Sequence, residues 1–127
     1  MMNGTLNGTA GDLSKIVSTV VGCISSGGTE SIVLACKAHR ELYSKTRGVQ
    51  FPEIVSCVTA HAAVDKACEI LGIRNVKVGF NPKTYKIDLA AVERAICADT
   101  ILLYSSAPSF PQGVIDPISD LSKLAVR

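Results

Sequence analysis

Short apolar segments alternate with helical patterns along most of the chain, and this alternation constrains the fold more than any other feature. Buried strands are predicted over 53–58, 75–80 and 100–104. Helices are predicted over 29–47, 62–71 and 88–98, and again after Asp116-Pro117. Strands separated by helices form βαβ units with right-handed crossovers. The predicted fold class is therefore α/β, an alternation of helices and strands with a mostly parallel sheet.

The longest predicted helix covers 29–47 and ends at Gly48, a residue type favoured just after helices. Its apolar face is predicted to contain Ile32, Val33, Leu34, Ala35, Cys36, His39 and Tyr43. Residues 1–12 are rich in Asn, Gly and Thr and are interpreted as a loop, with Asp12 capping a further helix over 13–21.

A stretch rich in hydroxyl groups and glycine precedes the longest helix. Ser25, Ser26 and Thr29 supply hydroxyls, while Gly27 and Gly28 allow the backbone to approach a ligand closely. The first N–H groups of a helix are unpaired and lie at the positive end of its dipole. The stretch therefore predicts an anion site suited to a phosphate. The alternative is an ordinary helix start capped by Ser26 or Thr29.

Composition excludes several classes of function. Thirteen Lys and Arg are scattered among eleven Asp and Glu, so no basic stripe supports nucleic-acid binding. No apolar run approaches the roughly 18 residues of a membrane span. The five cysteines are odd in number, lie in apolar runs and lack C-x-x-C spacing. We interpret them as reduced, buried thiols, and a zinc site is not expected.

Several ordered motifs resemble the sphingosine-1-phosphate lyases, which belong to the pyridoxal-phosphate-dependent decarboxylase group of fold-type I enzymes. The motifs are SSGGTESI (25–32), ACKAHR (35–40), PEIV (52–55), TAHAA (59–63), DKA (65–67), NPKTYKID (81–88) and SAPSFPQGVIDP (106–117). The match covers residues 21–126, and residues 1–20 fit it poorly. The resemblance implies that 21–127 form part of the large cofactor-binding domain, truncated at its C-terminal end.

The resemblance also implies roles for particular residues toward pyridoxal 5′-phosphate. Gly28 and Thr29 are expected to contact the phosphate of the cofactor, with Ser26 and Gly27 shaping the turn. This agrees with the anion site predicted from the loop itself.

Three residues from two later loops are expected to face the cofactor's ring. His61 is expected to lie against the pyridine ring, although a lone histidine after a strand is more often structural. Ser105 and Ser106 are expected near the phenolic oxygen, although polar residues are ordinary in such loops. Because the carboxyl ends of parallel strands bind ligands in such sheets, both loops are expected at that edge.

The activity implied by the resemblance is a retro-aldol cleavage. A phosphorylated sphingoid base would be split into a long-chain aldehyde and phosphoethanolamine, with the pyridine ring taking up electrons. The family's cofactor-binding lysine motif and the aspartate that pairs with the pyridine nitrogen do not occur in these 127 residues. The lysines present are interpreted as surface charges. We therefore expect no catalytic residue and no lyase turnover in this chain alone.

Two alternatives stay open at this point. One is an amino-acid decarboxylase of the same group, and the other is a non-catalytic module that retains the fold. The resemblance further implies a homodimeric parent enzyme. It implies a location in the cytoplasm or, in a eukaryote, on the cytosolic face of the endoplasmic reticulum. No membrane segment is expected in this chain.

Overall fold

The structure is a computed structural model that describes residues 22–126. Its elements follow in the order α1 (Gly28–Arg47), β1 (Glu53–Cys57), α2 (Ala63–Leu71), β2 (Arg74–Val78), α3 (Leu89–Ala95), β3 (Thr100–Tyr104) and α4 (Ile118–Ala125). The predicted loop over 1–12 and helix over 13–21 lie outside the described residues.

The three strands form one sheet in the order β2-β1-β3, and both pairings are parallel. Strand β1 lies in the centre and is buried along its whole length. Its Val55 lies opposite Val76 on one side and Leu103 on the other. The predicted α/β class with a parallel sheet is confirmed.

Helices cover both faces of the sheet because neighbouring strand residues point to opposite sides. Ile54 contributes to the core beneath α1 and α2, together with Cys36, Val64, Ala67, Cys68 and Ile101. The next residue, Val55, contributes to the core beneath α3 and α4, together with Cys57, Val78, Ile87, Val92 and Leu121. Because all three strands are parallel, their carboxyl ends lie at one edge of this three-layer domain.

Two glycines end helices as their sequence positions predict. Gly48 follows α1 with φ 67°, and Gly72 follows α2 with φ 64°. Both backbones are in the left-handed region that glycine adopts at least cost. The helix lengths predicted from these two signals are correct to within one residue.

Helix α3 ends three residues earlier than the predicted boundary at 98. Ile96 has extended backbone (φ −68°, ψ 131°). The hydroxyl of Thr100 then accepts the N–H of Cys97 at 3.0 Å. This side chain gives the backbone an alternative to the helical hydrogen bond, so the chain turns into β3.

Several further sequence predictions need correction. Leu34 and Ala35 are both exposed, so they lie outside the apolar face of α1. Cys23 and Cys97 are exposed rather than buried. Pro117 is the residue before α4, not its first helical residue. Strand β2 ends at Val78, and Phe80 instead pairs with Ile87 in an isolated antiparallel bridge.

The other cysteines behave as predicted. Cys36, Cys57 and Cys68 are buried and unbridged, and burial raises the pKa of the Cys68 thiol to about 11. No helix in the part of the chain described here is both long and apolar enough to cross a bilayer.

Candidate functional site

A cavity of about 760 Å³ lies at the carboxyl ends of β1 and β3, beside the first turn of α1. It is lined by Gly28, Thr29, Ile32, Thr59, Ala60, His61, Ala62, Tyr104, Ser105, Ser106, Ala107, Pro108 and Phe110. The strands on either side of it, β1 and β3, are neighbours whose connections leave the sheet in different directions. Such a switch point is where α/β sheets bind ligands.

One side of the cavity, here called the helix side, is formed by residues 25–31. Helix α1 begins at Gly28, and no side chain caps it. The capping alternative, in which Ser26 or Thr29 closes the helix, is therefore wrong. The N–H groups of the first turn point out of the helix start without intrahelical partners. They can donate hydrogen bonds to an anion bound at the positive end of the helix dipole.

Hydrogen bonds within the helix side hold its turn in place. The hydroxyls of Ser25 and Ser31 lie 2.6 Å apart, and both bond the carbonyl oxygen of Gly27. The N–H of Ser26 donates to the carboxylate of Glu30 at 2.5 Å. Ser26 and Gly27 thus shape the turn but do not line the cavity. Hydrogen bonds from Ser26 also hold the pKa of Glu30 below its ordinary value.

Gly28, the first residue of α1, lines the cavity on this side. A Cβ atom built on Gly28 would meet no other protein atom within 4 Å, and its φ lies outside the left-handed region. The fold itself therefore does not require glycine at this helical position, where alanine is intrinsically favoured. Its missing side chain instead leaves room for a ligand close to the backbone N–H groups.

His61 lies in the loop between β1 and α2 and lines the same cavity. Its Nδ1 accepts the N–H of Ala63 at 3.0 Å, at the start of α2. This bond fixes the ring, and a neutral imidazole accepting at Nδ1 carries its proton on Nε2. The structural and the ligand-facing interpretations of this histidine are therefore compatible, because one ring nitrogen holds the helix while the exposed ring borders the cavity.

The opposite side of the cavity, here called the loop side, is formed by residues 105–116. Ser105 and Ser106 line the cavity, as does Pro108. The N–H of Ser106 donates to a carboxylate oxygen of Asp116 at 2.9 Å. The seven predicted site residues thus divide into five that line one cavity and two, Ser26 and Gly27, that support its helix side.

The predicted site residues leave out several further residues of the cavity wall, among them Thr59 and Phe110, which lie in the loops expected at this edge. Thr59 lines it and donates its hydroxyl to the sulfur of Cys57 at 3.1 Å. Tyr104, the last residue of β3, also lines it, and burial raises the pKa of its phenol. Phe110 stands at the rim and is 87% exposed. Thr59 directly follows a predicted strand and Tyr104 ends one, so the ends of the predicted strands were the available signal for both.

The electrostatic character of the cavity comes from the partial charges of backbone groups rather than from charged side chains. None of its lining residues is a lysine, an arginine or an acid. All lysines between 22 and 126 are exposed, as the sequence interpretation predicts. No cluster of His, Cys, Asp and Glu within that described range could hold a metal ion.

Known proteins similar to this chain are sphingosine-1-phosphate lyases. The lyase of Dictyostelium discoideum is 56% identical over 108 residues, which are 85% of this chain and 20% of that protein. A solved structure of the Burkholderia pseudomallei sphingosine-1-phosphate lyase superposes with a TM-score of 0.77 at 39% identity. It covers 79% of this chain and 23% of that one. These similarities confirm the resemblance that the sequence motifs predict.

A more distant structure shares only the fold. Oryza sativa TDC with PLP and tryptamine superposes with a TM-score of 0.71 at 17% identity, over 78% of this chain and 24% of that one. No protein-family model matches the chain. The chain spans about a fifth of the length of the relatives it matches.

Proposed function

We propose that this chain, a homologue of the sphingosine-1-phosphate lyases over most of its length, forms part of the coenzyme site of a carbon–carbon lyase. The coenzyme would be pyridoxal 5′-phosphate. The substrate would be a phosphorylated sphingoid base, cleaved to a long-chain aldehyde and phosphoethanolamine. The observation that carries this proposal is a single cavity bordered by the start of α1, by His61 and by Ser105 and Ser106.

The residues of the cavity fit such a coenzyme. Gly28 leaves space for a phosphate against the unpaired N–H groups of α1, since its absent side chain has no protein neighbour. A volume of about 760 Å³ lies within the range of small-molecule sites. The wall combines apolar side chains with polar groups that come from different segments of the chain, as is typical of cofactor pockets.

Each predicted residue then has a defined task. The N–H groups of Gly28 and Thr29 bind the phosphate, in a turn kept open by Ser26 and Gly27. The imidazole of His61, held by the N–H of Ala63, would stack on the pyridine ring. When bound, the coenzyme supplies the electron sink for breaking the bond between Cα and Cβ of the substrate.

Ser105 and Ser106 would contact the coenzyme from the loop side, where Ala107 and Pro108 continue the wall. Their hydroxyls would donate hydrogen bonds to its phenolic oxygen.

The same homology supports three finer proposals. The whole protein would be a homodimer. It would act in the cytoplasm or, in a eukaryote, on the cytosolic face of the endoplasmic reticulum. Its lysine and aspartate toward the coenzyme would lie outside the present sequence.

An amino-acid decarboxylase is the second candidate function. The likeness to Oryza sativa TDC favours it, but that likeness extends only to the fold. Assays of a longer protein containing this segment separate the two candidates. A lyase releases a long-chain aldehyde from a phosphorylated sphingoid base, whereas a decarboxylase releases carbon dioxide from an amino acid.

The coenzyme proposal is tested by titrating the isotope-labelled chain with pyridoxine 5′-phosphate while recording backbone amide NMR spectra. This analogue lacks the aldehyde, so it does not react with surface lysines. We expect shifts at Gly28 and Thr29 and, from the ring, at His61 and Ser106. Pyridoxine without the phosphate should bind at least tenfold more weakly. Shifts scattered away from the cavity, or equal binding of both compounds, would refute the proposal.

A further inference from the structure

Asp116 is a buried acidic residue whose two carboxylate oxygens accept backbone N–H groups from two different segments. One oxygen accepts the N–H of Ser106 and the other that of Ile87, each at 2.9 Å. The residue is only 6% exposed. Its own N–H donates to the carbonyl oxygen of Ser106 at 3.0 Å. Ser106 and Asp116 are thus joined by a reciprocal pair of bonds across the base of a loop.

The carboxylate of Asp116 does not serve the helix that follows it. Asp-Pro is a common way to open a helix, but Pro117 precedes α4 and no side chain caps that helix. Both oxygens of Asp116 are instead committed to Ser106 and Ile87. The side chain therefore acts on the loop before it rather than on the helix after it.

The interior of this loop is closed by its own hydrogen bonds. Ser109 is buried, and its N–H donates to the carbonyl oxygen of Val114 at 2.9 Å. The N–H of Gly113 donates to the carbonyl oxygen of Ser109 at 2.9 Å. Because the middle of the loop is internally fixed, the placement of the cavity wall depends on how its base is anchored.

We propose that Asp116 is a positioning residue for the ring end of the coenzyme. Its carboxylate holds the peptide of Ser106 and ties it to Ile87, which belongs to a segment outside the cavity wall. The loop side is thereby anchored to the core beneath α3 and α4, of which Ile87 is a member. This inference rests on the proposed coenzyme function.

The test compares Asp116→Asn with the wild-type chain in two titrations, one with pyridoxine 5′-phosphate and one with inorganic phosphate. An amide offers one acceptor oxygen and a donor NH₂, so the variant keeps at most one of the two bonds. We expect at least a tenfold loss of affinity for pyridoxine 5′-phosphate. Affinity for inorganic phosphate, which needs only the helix side, should change less than twofold.

A second readout needs no ligand. Amide NMR of the variant should show shifted resonances and faster hydrogen exchange at Ser106, with unchanged resonances at Gly28 and Thr29. The matched control is Asp120→Asn, the same chemical change at an exposed residue that pairs with Lys123. It should alter neither affinity nor the Ser106 resonance. If Asp116→Asn does not fold, Asp116→Glu, which keeps both oxygens on a longer side chain, is examined by the same readouts.

The outcomes are distinguishable. If the wild-type chain does not bind pyridoxine 5′-phosphate at the cavity, the proposed function fails and this inference falls with it. Suppose that the wild-type chain binds pyridoxine 5′-phosphate. If Asp116→Asn then binds both ligands as tightly as the wild type, or loses affinity for both by the same factor, only the positioning role is overturned. An unchanged Ser106 resonance would overturn it as well.

Discussion

The two sides of the cavity differ in how they are built. The helix side is exposed, and its hydrogen bonds join solvent-facing groups such as Ser25 and Ser31. The loop side is anchored by two buried polar residues, Ser109 and Asp116, whose hydrogen bonds are made to the backbone. The helix side therefore presents N–H groups without partners, whereas the loop side is held in place by N–H groups that are hydrogen-bonded.

The difference follows from what each side would bind. An anion needs N–H groups without partners, and such groups are tolerated only where water can reach them before the ligand arrives. A flat ring needs a wall already in position, because ordering the wall at the moment of binding would cost affinity. Stability and binding should therefore respond differently to changes on the two sides.

The largest expected effect is on stability at the loop side. Asp116→Ala leaves the buried N–H of Ile87 and the part-buried N–H of Ser106 without acceptors, and each loss costs about 1–3 kcal/mol. We expect a loss of about 3 kcal/mol in the free energy of unfolding, measured by urea titration. On the helix side, Ser31→Ala removes only exposed hydrogen bonds and should cost about 0.5 kcal/mol or less. Equal losses of unfolding free energy in Asp116→Ala and Ser31→Ala would contradict this difference between the two sides.

The second largest effect is on ligand affinity at the helix side. Gly28→Ala adds a methyl group that meets no protein atom, so stability should be unchanged or slightly higher. The methyl enters the space next to the unpaired N–H groups, and we expect about a tenfold loss of affinity for pyridoxine 5′-phosphate, equal to about 1.4 kcal/mol. The matched control is Gly79→Ala, which also has free space around the new Cβ but lies outside the cavity wall. Wild-type affinity in Gly28→Ala would show that the ligand does not approach this backbone.

The strands and most helix limits could be predicted because their signals are local. Apolar β-branched runs marked β1 and β3, and Gly48 and Gly72 marked the ends of α1 and α2. The general placement of ligands at the carboxyl ends of parallel strands also predicted that His61 and Ser105 would share one site edge. These inferences use neighbours in sequence or the handedness of βαβ units.

What could not be predicted depends on contacts between distant positions. The Asp116-Pro117 pair predicts the start of a helix. The side chain of Asp116 instead accepts the N–H groups of Ser106 and Ile87, which are 10 and 29 positions away. Helix α3 ends early because of the hydroxyl of Thr100, which lies beyond the helix pattern itself. Leu34 fits a helical period, yet its side chain is 41% exposed.

A third prediction separates the two tasks of His61, which stands between the helix side and the loop side. His61→Asn offers a side-chain oxygen to the Ala63 N–H but no aromatic ring, so it should retain stability and lose ring affinity. His61→Phe retains a flat ring but no acceptor, and it should lose about 1 kcal/mol of stability while retaining most of the affinity. Urea unfolding and titration with pyridoxine 5′-phosphate measure the two quantities. If both variants lose stability and affinity together, the tasks are not separable.

The smallest effect concerns acid titration of the helix side. Hydrogen bonds from Ser26 lower the pKa of Glu30, so its carboxylate supports the turn at neutral pH, and this support disappears as pH falls through the lowered pKa. The amide resonance of Ser26 should therefore titrate with a midpoint below 4.5, the ordinary value for this carboxyl. In Glu30→Gln the same resonance should not follow that titration, because the amide has no proton to gain in this range. A Ser26 midpoint at or above 4.5 would mean that the turn is held by its serine hydroxyls alone, and the open helix start would then be independent of the Glu30 carboxylate.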